Sequence, residues 1–265
     1  MAAATSETKH GVTLESDDAW VAAVLKDEPS LSESDARRYL VARKGDYKKA
    51  RAMLEADVKW RAQAKPELVS QAQILPVLDG GCWRQIGSTS TSGFPVLWIQ
   101  LSLWEPHLYS AETYGLNACY WMEKLTQIQE RFIVLFDLAG WRLSHALHLR
   151  KVHTLVHTLQ DHYPERLQAA LLMRAPFIFS SFWALVKPVI DPVTAAKVHF
   201  VNVKLEAETL ASHDIPASIL PNLYGGDREG EELPFPNLPG EPDLTHAKAA
   251  AEEAAPAADE AVPIT

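Results

Sequence analysis

The chain has 265 residues, of which 47% are hydrophobic, so it can bury the core of one large domain or of a small and a larger one. It lacks a run of 18 uncharged apolar residues and the basic start of a signal peptide, so we expect neither a transmembrane helix nor a secretory leader. The net charge of −9 is concentrated in residues 227–265, which hold ten acidic and two basic residues. The nearly neutral remainder gives no support for nucleic-acid binding. Two cysteines, Cys82 and Cys119, favour a reducing, cytoplasmic compartment.

Three short helices are predicted in a first region, residues 13–65. Apolar residues share one face of the first helix: Trp20, Val21, Val24 and Leu25. Ser32 supplies a cap for the second helix, and Lys48–Arg61 forms the third. Helices of this size also suit a small ubiquitin-binding module, so protein interaction stays an alternative for this region.

Residues 75–227 alternate strand-like and helix-like segments. Four continuous apolar runs are typical of strands buried on both faces: Pro95–Leu101, Phe132–Asp137, Ala169–Met173 and His199–Val203. Helical stretches lie between them, including Ala111–Gln129 and Leu143–His162. This alternation predicts an α/β fold with right-handed crossovers and a mostly parallel sheet. Residues 228–265 are rich in Pro, Ala and Glu without periodicity and are predicted to form a disordered acidic tail.

One predicted helix, Phe177–Ile190, is apolar on every side and carries a single charge, Lys187. Such a helix is buried or faces lipid. It is too short to span a bilayer, and Pro188 interrupts it. We therefore expect one side to face an internal cavity and the other to be available to a membrane surface, as a lipid carrier requires.

Known catalytic and metal-binding patterns give little support for an enzyme. Five histidines fall in the predicted helix Leu143–His162, but only His153 and His157 have the spacing of a metal clamp, and no third ligand is evident, so we predict no metal site. Asp137-Leu138-Ala139-Gly140 imitates a nucleotide-switch motif, yet no phosphate-binding loop accompanies it. Nucleophile elbows and dinucleotide-binding glycine motifs are also missing from the sequence. We expect a protein that is not an enzyme and needs no cofactor.

Glu165 and Lys197 lie within or beside apolar regions, where an unpaired charge is costly, so each should have a partner. They either pair with each other to fasten a helix end to the following loop or frame a polar headgroup at the mouth of an apolar pocket. The residue types alone favour neither interpretation.

An ordered set of short motifs resembles the CRAL-TRIO family of lipid-transfer proteins over roughly residues 15–227. The motifs, in chain order, are Arg38–Asp46, Trp60-Arg61, Gly93-Phe94-Pro95-Val96, Phe136–Gly140, Tyr163-Pro164-Glu165-Arg166, Ala175-Pro176, Lys187-Pro188, Asp191-Pro192-Val193-Thr194 with Lys197, Leu220-Pro221 and Gly225-Gly226. The resemblance implies a helical lead domain followed by a mostly parallel sheet whose helices enclose a hydrophobic lipid pocket. The implied divisions are a lead domain over 13–65, a lipid-binding domain over 75–227 and the tail over 228–265.

The resemblance is to the phosphatidylinositol transfer branch of that family, and it implies a headgroup site by position. The implied headgroup residues are Glu165, Thr194, Lys197, Arg43 and Lys44. The predicted pocket and gate residues are Phe132, Val134, Phe177, Phe179, Phe182, Trp183 and Val186. The branch holds a choline headgroup with a Ser and a Thr at the positions of Phe132 and Val134, which cannot donate those hydrogen bonds. Gly45 replaces a bulky apolar residue and Arg174 replaces the family's common Asn.

Three functions follow, from different classes. The favoured one is binding and transfer, or presentation, of phosphatidylinositol by a cytoplasmic monomer that contacts membranes transiently. The second is transport of another hydrophobic ligand, sterol-like or terpenoid, with Glu165 and Lys197 merely structural. The third is a protein-interaction adaptor that uses the helical front and the acidic tail.

Overall fold

The computed structural model describes residues 6–7, 13–14 and 16–227 of the chain. The predicted acidic tail, 228–265, lies outside the described residues. The helices are α1 (Asp17–Asp27), α2 (Glu33–Ala42), α3 (Tyr47–Ala64), α4 (Gln71–Asp79), α5 (Ala111–Ile128), α6 (Leu143–Ala146), α7 (Leu149–His162), α8 (Phe179–Val186), α9 (Pro192–Ala195) and α10 (Glu206–Ser212). The strands are β1 (Ser6–Glu7), β2 (Thr13–Leu14), β3 (Trp83–Ser88), β4 (Pro95–Gln100), β5 (Phe132–Asp137), β6 (Leu167–Met173) and β7 (Val198–Phe200).

Helices α1–α3 pack into a small core of their own at the front of the chain. Trp20, Val24, Tyr39 and Leu54 are buried in it, as the apolar spacing predicts. Ser32 begins α2 with a capping box, in which its side chain and that of Asp35 each accept a backbone N–H of the other residue. The predicted three helices at the front of the chain are confirmed.

The main sheet has the order β3-β4-β5-β6-β7. Strand β3 pairs with β4 antiparallel, and the remaining neighbours are parallel, so the predicted mostly parallel α/β fold is confirmed. Strand β5 lies at the centre with apolar side chains on both faces. Strand β3 was not predicted, because Trp83-Arg84-Gln85 mixes polar and apolar residues, as suits an edge strand.

Two predicted helices end earlier or divide. The segment Leu143–His162 is not one helix: its backbone tightens at Leu147 and His148 to bonds three residues back, which separates α6 from α7. The apolar segment predicted as one helix forms α8 followed by a 3₁₀ turn, Lys187–Val189. Pro188 lacks the N–H that an α-helix would need there.

The last predicted strand is also shorter than expected. It ends at Phe200, and a 3₁₀ turn begins at Val203, after Asn202 turns the chain by accepting the backbone N–H of Lys204. Helices α4 and α10 were not predicted.

Candidate functional site

A cavity of about 630 Å³ lies between one face of the sheet and helices α7 and α8. The side chains of strand β5 alternate between this cavity and the core on the other face of the sheet. Phe132, Val134 and Phe136 alternate along the strand and line the cavity, whereas Ile133 and Leu135 pack into the core on the opposite face. The predicted pocket positions Phe132 and Val134 therefore lie on the cavity wall.

Helix α7 forms a second wall of the cavity. Val152, Leu155, Val156 and Leu159 line it at the spacing that places residues on one face of a helix. These side chains are half-buried, and Val152 and Leu159 also pack against neighbouring apolar clusters. The stripe gives the cavity an apolar wall along α7.

Helix α8 closes the cavity with Phe179, Phe182 and Val186, which are buried and line the wall. Phe179 packs edge-on against Trp141, with ring centroids 5.5 Å apart. Trp183 also lines the cavity and is half-buried.

The outward side of α8 is partly apolar, with Ala184 and Leu185 exposed beside Ser180 and Ser181. Leu185 is 58% exposed, and Phe177, just before the helix, is 96% exposed and does not line the cavity. The structure thus separates the predicted gate residues into an inward set and the outward Phe177.

Glu165 and Lys197 meet at the cavity wall. Lys197 Nζ donates to Glu165 Oε2 at 2.8 Å, and the two side chains are only 22% and 12% exposed. Glu165 follows buried Pro164 and has a φ of +59°, in the left-handed region that residues other than glycine adopt infrequently. Lys197 directly precedes β7, and its carbonyl accepts the N–H of Ala170 on β6.

The other predicted headgroup residues divide into two groups. Thr194 and Arg43 line the cavity together with Glu165 and Lys197, although they come from α9 and from the end of α2. Lys44 is exposed, has a φ of +53° and does not line the cavity. Four of the five predicted residues therefore line the same cavity.

Gln160 is a cavity residue that the sequence did not single out. Its Nε2 donates to the carbonyl of Val189 at 3.1 Å, and its Oε1 accepts the N–H of Asp191. Asp191 caps α9, which carries Thr194. Gln160 thus fastens to α7 the segment that carries Thr194. Its partners are 29 and 31 positions away in the chain, so no local sequence pattern predicts these bonds.

The front helices are fastened to the sheet domain close to Glu165. Arg38 donates to the carbonyl of Pro164 at 3.0 Å and to Asp35 at 2.7 Å, and Arg166 donates to the same Asp35 oxygen at 3.0 Å. Burial opposes ionisation of Asp35, but hydrogen bonds from Ser32 and Arg38 and the two arginine charges outweigh it and lower its pKa to about 2. This network holds the front helices, and with them Arg43, against the cavity mouth.

A second junction surrounds the buried carboxylate of Asp57. Tyr39 donates to it at 2.5 Å and Arg61 at 3.1 Å, and His162 Nδ1 lies 2.8 Å away. The imidazole of His162 stacks on Trp60 with centroids 3.7 Å apart. The histidines therefore include one with a structural role, and within residues 16–227 there is no group of three or more His, Cys, Asp and Glu side chains arranged to hold a metal.

Arg174 has a role that the sequence did not reveal. At the end of β6 it has a φ of +53°, a conformation that Asn also tolerates, and its guanidinium forms a two-pronged ion pair with Glu206 at 3.0 Å. It also lies over the ring of Tyr224 at 4.6 Å. Arg174 thus ties the start of the segment leading to α8 to α10 and to the chain near residue 224.

The sequence of the chain is similar to a known domain family and to several characterised proteins. The profile of the CRAL/TRIO domain matches residues 86–226, slightly more than half of the chain. The chain is 29% identical to the SEC14 cytosolic factor of Candida glabrata over 226 residues, 76% of this chain and 73% of the relative. It is 28% identical to the phosphatidylinositol transfer protein CSR1 of Eremothecium gossypii (72% of this chain, 46% of the relative) and 31% identical to the alpha-tocopherol transfer protein-like protein of Mus musculus (77% and 62%).

A solved structure shares the fold. The crystal structure of Sfh5 superposes with a TM-score of 0.62 at 15% identity and covers 83% of this chain and 80% of that one. In the part of the chain that the structure describes, no helix is long and apolar enough to cross a membrane.

Proposed function

Because the chain belongs to the CRAL/TRIO domain family, we propose that it extracts a lipid from a membrane into its cavity and transfers or presents it, with phosphatidylinositol as the preferred ligand. Two relatives have names that describe transfer proteins, one for phosphatidylinositol and one similar to an alpha-tocopherol carrier. Membership of the family confirms the prediction that the chain is not an enzyme. A cavity of this volume is within the range of about 300–1,000 Å³ typical of ligand sites.

The observation that carries the choice of ligand is the placement of Glu165 and Lys197 on the wall of a cavity that is lined mainly by apolar side chains. A carboxylate accepts hydrogen bonds from inositol hydroxyls, and an ammonium binds a phosphate. Arg43 and Thr194, which line the same cavity, add a guanidinium and a hydroxyl. The two charged groups pair with each other, and a bound headgroup would replace that pairing with its own bonds.

The proposed entry for the lipid is α8. Phe177, Ile178, Leu185 and Phe200 are exposed around it, while its opposite side lines the cavity. Burial of one CH₂ group is worth about 0.8 kcal/mol, so two acyl chains cannot cross water at a useful rate and must pass directly from bilayer to cavity. A helix with apolar groups on both sides can exchange its protein contacts for lipid contacts as it opens.

A second candidate ligand is a terpenoid or sterol-like molecule. The apolar side chains of Phe132 and Val134 on the pocket strand, together with the similarity to an alpha-tocopherol transfer protein-like protein, favour it. In that case Glu165 and Lys197 would only fasten the chain, and their substitution would not alter ligand choice.

Mass spectrometry of lipid extracted from the purified protein, followed by transfer assays between vesicles, distinguishes the two candidates. We expect phosphatidylinositol in the extract and its transfer in the assay. Recovery of a terpenoid or sterol, with no phosphatidylinositol transfer, would support the second candidate. Protein that takes up no lipid would instead point to an interaction adaptor.

A further inference from the structure

The cavity contains a cation that the proposed headgroup site does not use. Lys151, in the first turn of α7, lines the cavity and is half-buried. Its Nζ donates to the backbone carbonyls of Pro106 and Tyr109, both at 2.6 Å. Within residues 16–227, no carboxylate forms an ion pair with it at 4.0 Å or less.

The surroundings of Lys151 favour an added anion. An ammonium has three N–H groups, and the two carbonyls use two of them. Carbonyl dipoles and the ring of Tyr114, 5.9 Å from Nζ, stabilise the cation but do not neutralise it. A cation beside an apolar cavity without a counter-ion is costly, and an anionic oxygen would remove that cost.

This cation lies at the opposite end of the cavity from Glu165 and Lys197. Helix α7 runs from the carboxyl end of β5 back to the amino end of β6, and eleven residues, about 16 Å of helix, separate Lys151 from His162. Glu165 follows at that far end. The apolar stripe of Val152, Leu155, Val156 and Leu159 connects the two polar ends.

We propose that Lys151 forms a second anion subsite, which holds the acidic group of a single-chain lipid whose hydrocarbon chain lies along α7. The shared chemistry is an anionic oxygen on one apolar chain, supplied by the carboxylate of a fatty acid or by the phosphate of a lysophospholipid. The inference rests on the proposed function only in requiring that the cavity admits a lipid chain. It adds a class of ligand that Glu165 and Lys197 do not select.

The test compares oleate, methyl oleate and oleoyl lysophosphatidate, below their micellar concentrations, by quenching of tryptophan fluorescence. Trp104 and Trp141 line the cavity and report binding. We expect wild type to bind oleate at least about tenfold more tightly than its methyl ester, as a charge-assisted bond predicts. Lys151→Gln, which keeps an N–H donor for the loop carbonyls, should reduce that ratio to about threefold or less, and Lys151→Arg should preserve it.

Lys59→Gln is the matched control, because Lys59 is exposed on α3 and does not line the cavity. It should leave the ratio at the wild-type value. If lysophosphatidate but not oleate loses affinity in Lys151→Gln, the subsite is for phosphate, and the reverse identifies a carboxylate; either result supports the subsite.

Three results would overturn the inference. One is a wild-type protein that binds oleate, lysophosphatidate and the methyl ester equally, which decides the matter even if Lys151→Gln does not fold. Another is equal weakening of all three ligands in Lys151→Gln, which would identify a purely structural lysine. The third is a Lys151→Gln protein in which neither the ratio of oleate to ester affinity nor the affinity for lysophosphatidate changes. If wild type nevertheless transfers phosphatidylinositol, only this inference fails; if it binds no lipid at all, the proposed function fails with it.

Discussion

The Nζ of Lys197 lies 2.8 Å from Oε2 of Glu165, although 32 positions separate the two residues in the chain. The pair joins the turn after α7 to the start of β7, and both side chains line the cavity. A pair placed in this way can serve two purposes: it fastens the turn after α7 to the start of β7, and it offers one acceptor and one donor to a ligand. The two interpretations of these residues are thus compatible, and substitution can separate their contributions.

Lys197→Ala should reduce transfer of phosphatidylinositol between vesicles by about tenfold or more, because a hydrogen bond to a charged group is worth about 1.5–3 kcal/mol. Thermal unfolding should still be cooperative, since Glu165 keeps some contact with solvent. Lys204→Ala is the control, because Lys204 is exposed and does not line the cavity. Unchanged transfer by a stable Lys197→Ala protein would remove Lys197 from the headgroup site.

Wild type should exchange little phosphatidylcholine relative to phosphatidylinositol. Phe132 and Val134 cannot donate hydrogen bonds. The phosphate of a choline lipid placed against them would lose its bonds to water without replacing them, at a cost of about 1–3 kcal/mol or more. Val134→Thr, close in shape to the wild type, should raise phosphatidylcholine uptake relative to phosphatidylinositol. Uptake of both labelled lipids at similar rates in wild type would show that other polar groups replace the missing pair.

Part of the cavity wall was predicted from the sequence. The resemblance to the family placed Phe132 and Val134 in the pocket, and an apolar run too hydrophobic for a fully exposed helix indicated the side chains of α8. The roles of Gln160, Lys151 and Arg174 depend on backbone carbonyls and carboxylates 29 to 49 positions away. Contacts between residues so far apart in the chain produce no periodic pattern in the sequence. The division of the chain at residues 13–65, 75–227 and 228–265 stays a prediction.

The junction at Asp35 predicts a dependence of stability on pH. Its pKa falls from 3.8 to about 2 on folding, so the unfolded state binds the proton more readily. The stabilisation is complete above about pH 5 and is lost as the pH falls from 4 towards 2. Asp35→Asn should therefore lower the free energy of unfolding by about 2 kcal/mol at pH 7, because a tenfold change in acid dissociation corresponds to about 1.4 kcal/mol.

Urea unfolding of wild type and Asp35→Asn at pH 7 and at pH 3 measures this effect. The difference between the two proteins should shrink at the lower pH. Asp18→Asn is a suitable control, because Asp18 pairs with Arg37 at the exposed surface, where ion pairs contribute little. A difference that is the same at both pH values would mean that Asp35 stabilises the junction by some means other than its charge.

Charged substitutions on and beside α8 should have opposite outcomes on its two sides. Phe182 is buried against the ring of Trp141, so Phe182→Asp should destabilise the fold by about 3 kcal/mol or more. Phe177 is 96% exposed, so Phe177→Asp should leave the melting temperature within about 2 °C of wild type. If the outward side meets the bilayer, Phe177→Asp should nevertheless weaken vesicle flotation and slow lipid exchange.

The comparison of Phe177→Asp with Leu68→Asp makes the gate hypothesis falsifiable. Leu68 is 66% exposed on a 3₁₀ turn between α3 and α4, and it does not line the cavity. Its substitution adds the same charge at a similarly exposed apolar position but should leave flotation unchanged. Should Phe177→Asp and Leu185→Asp both fold and bind vesicles as wild type does, α8 would be an ordinary part of the cavity wall and the lipid would have to enter elsewhere.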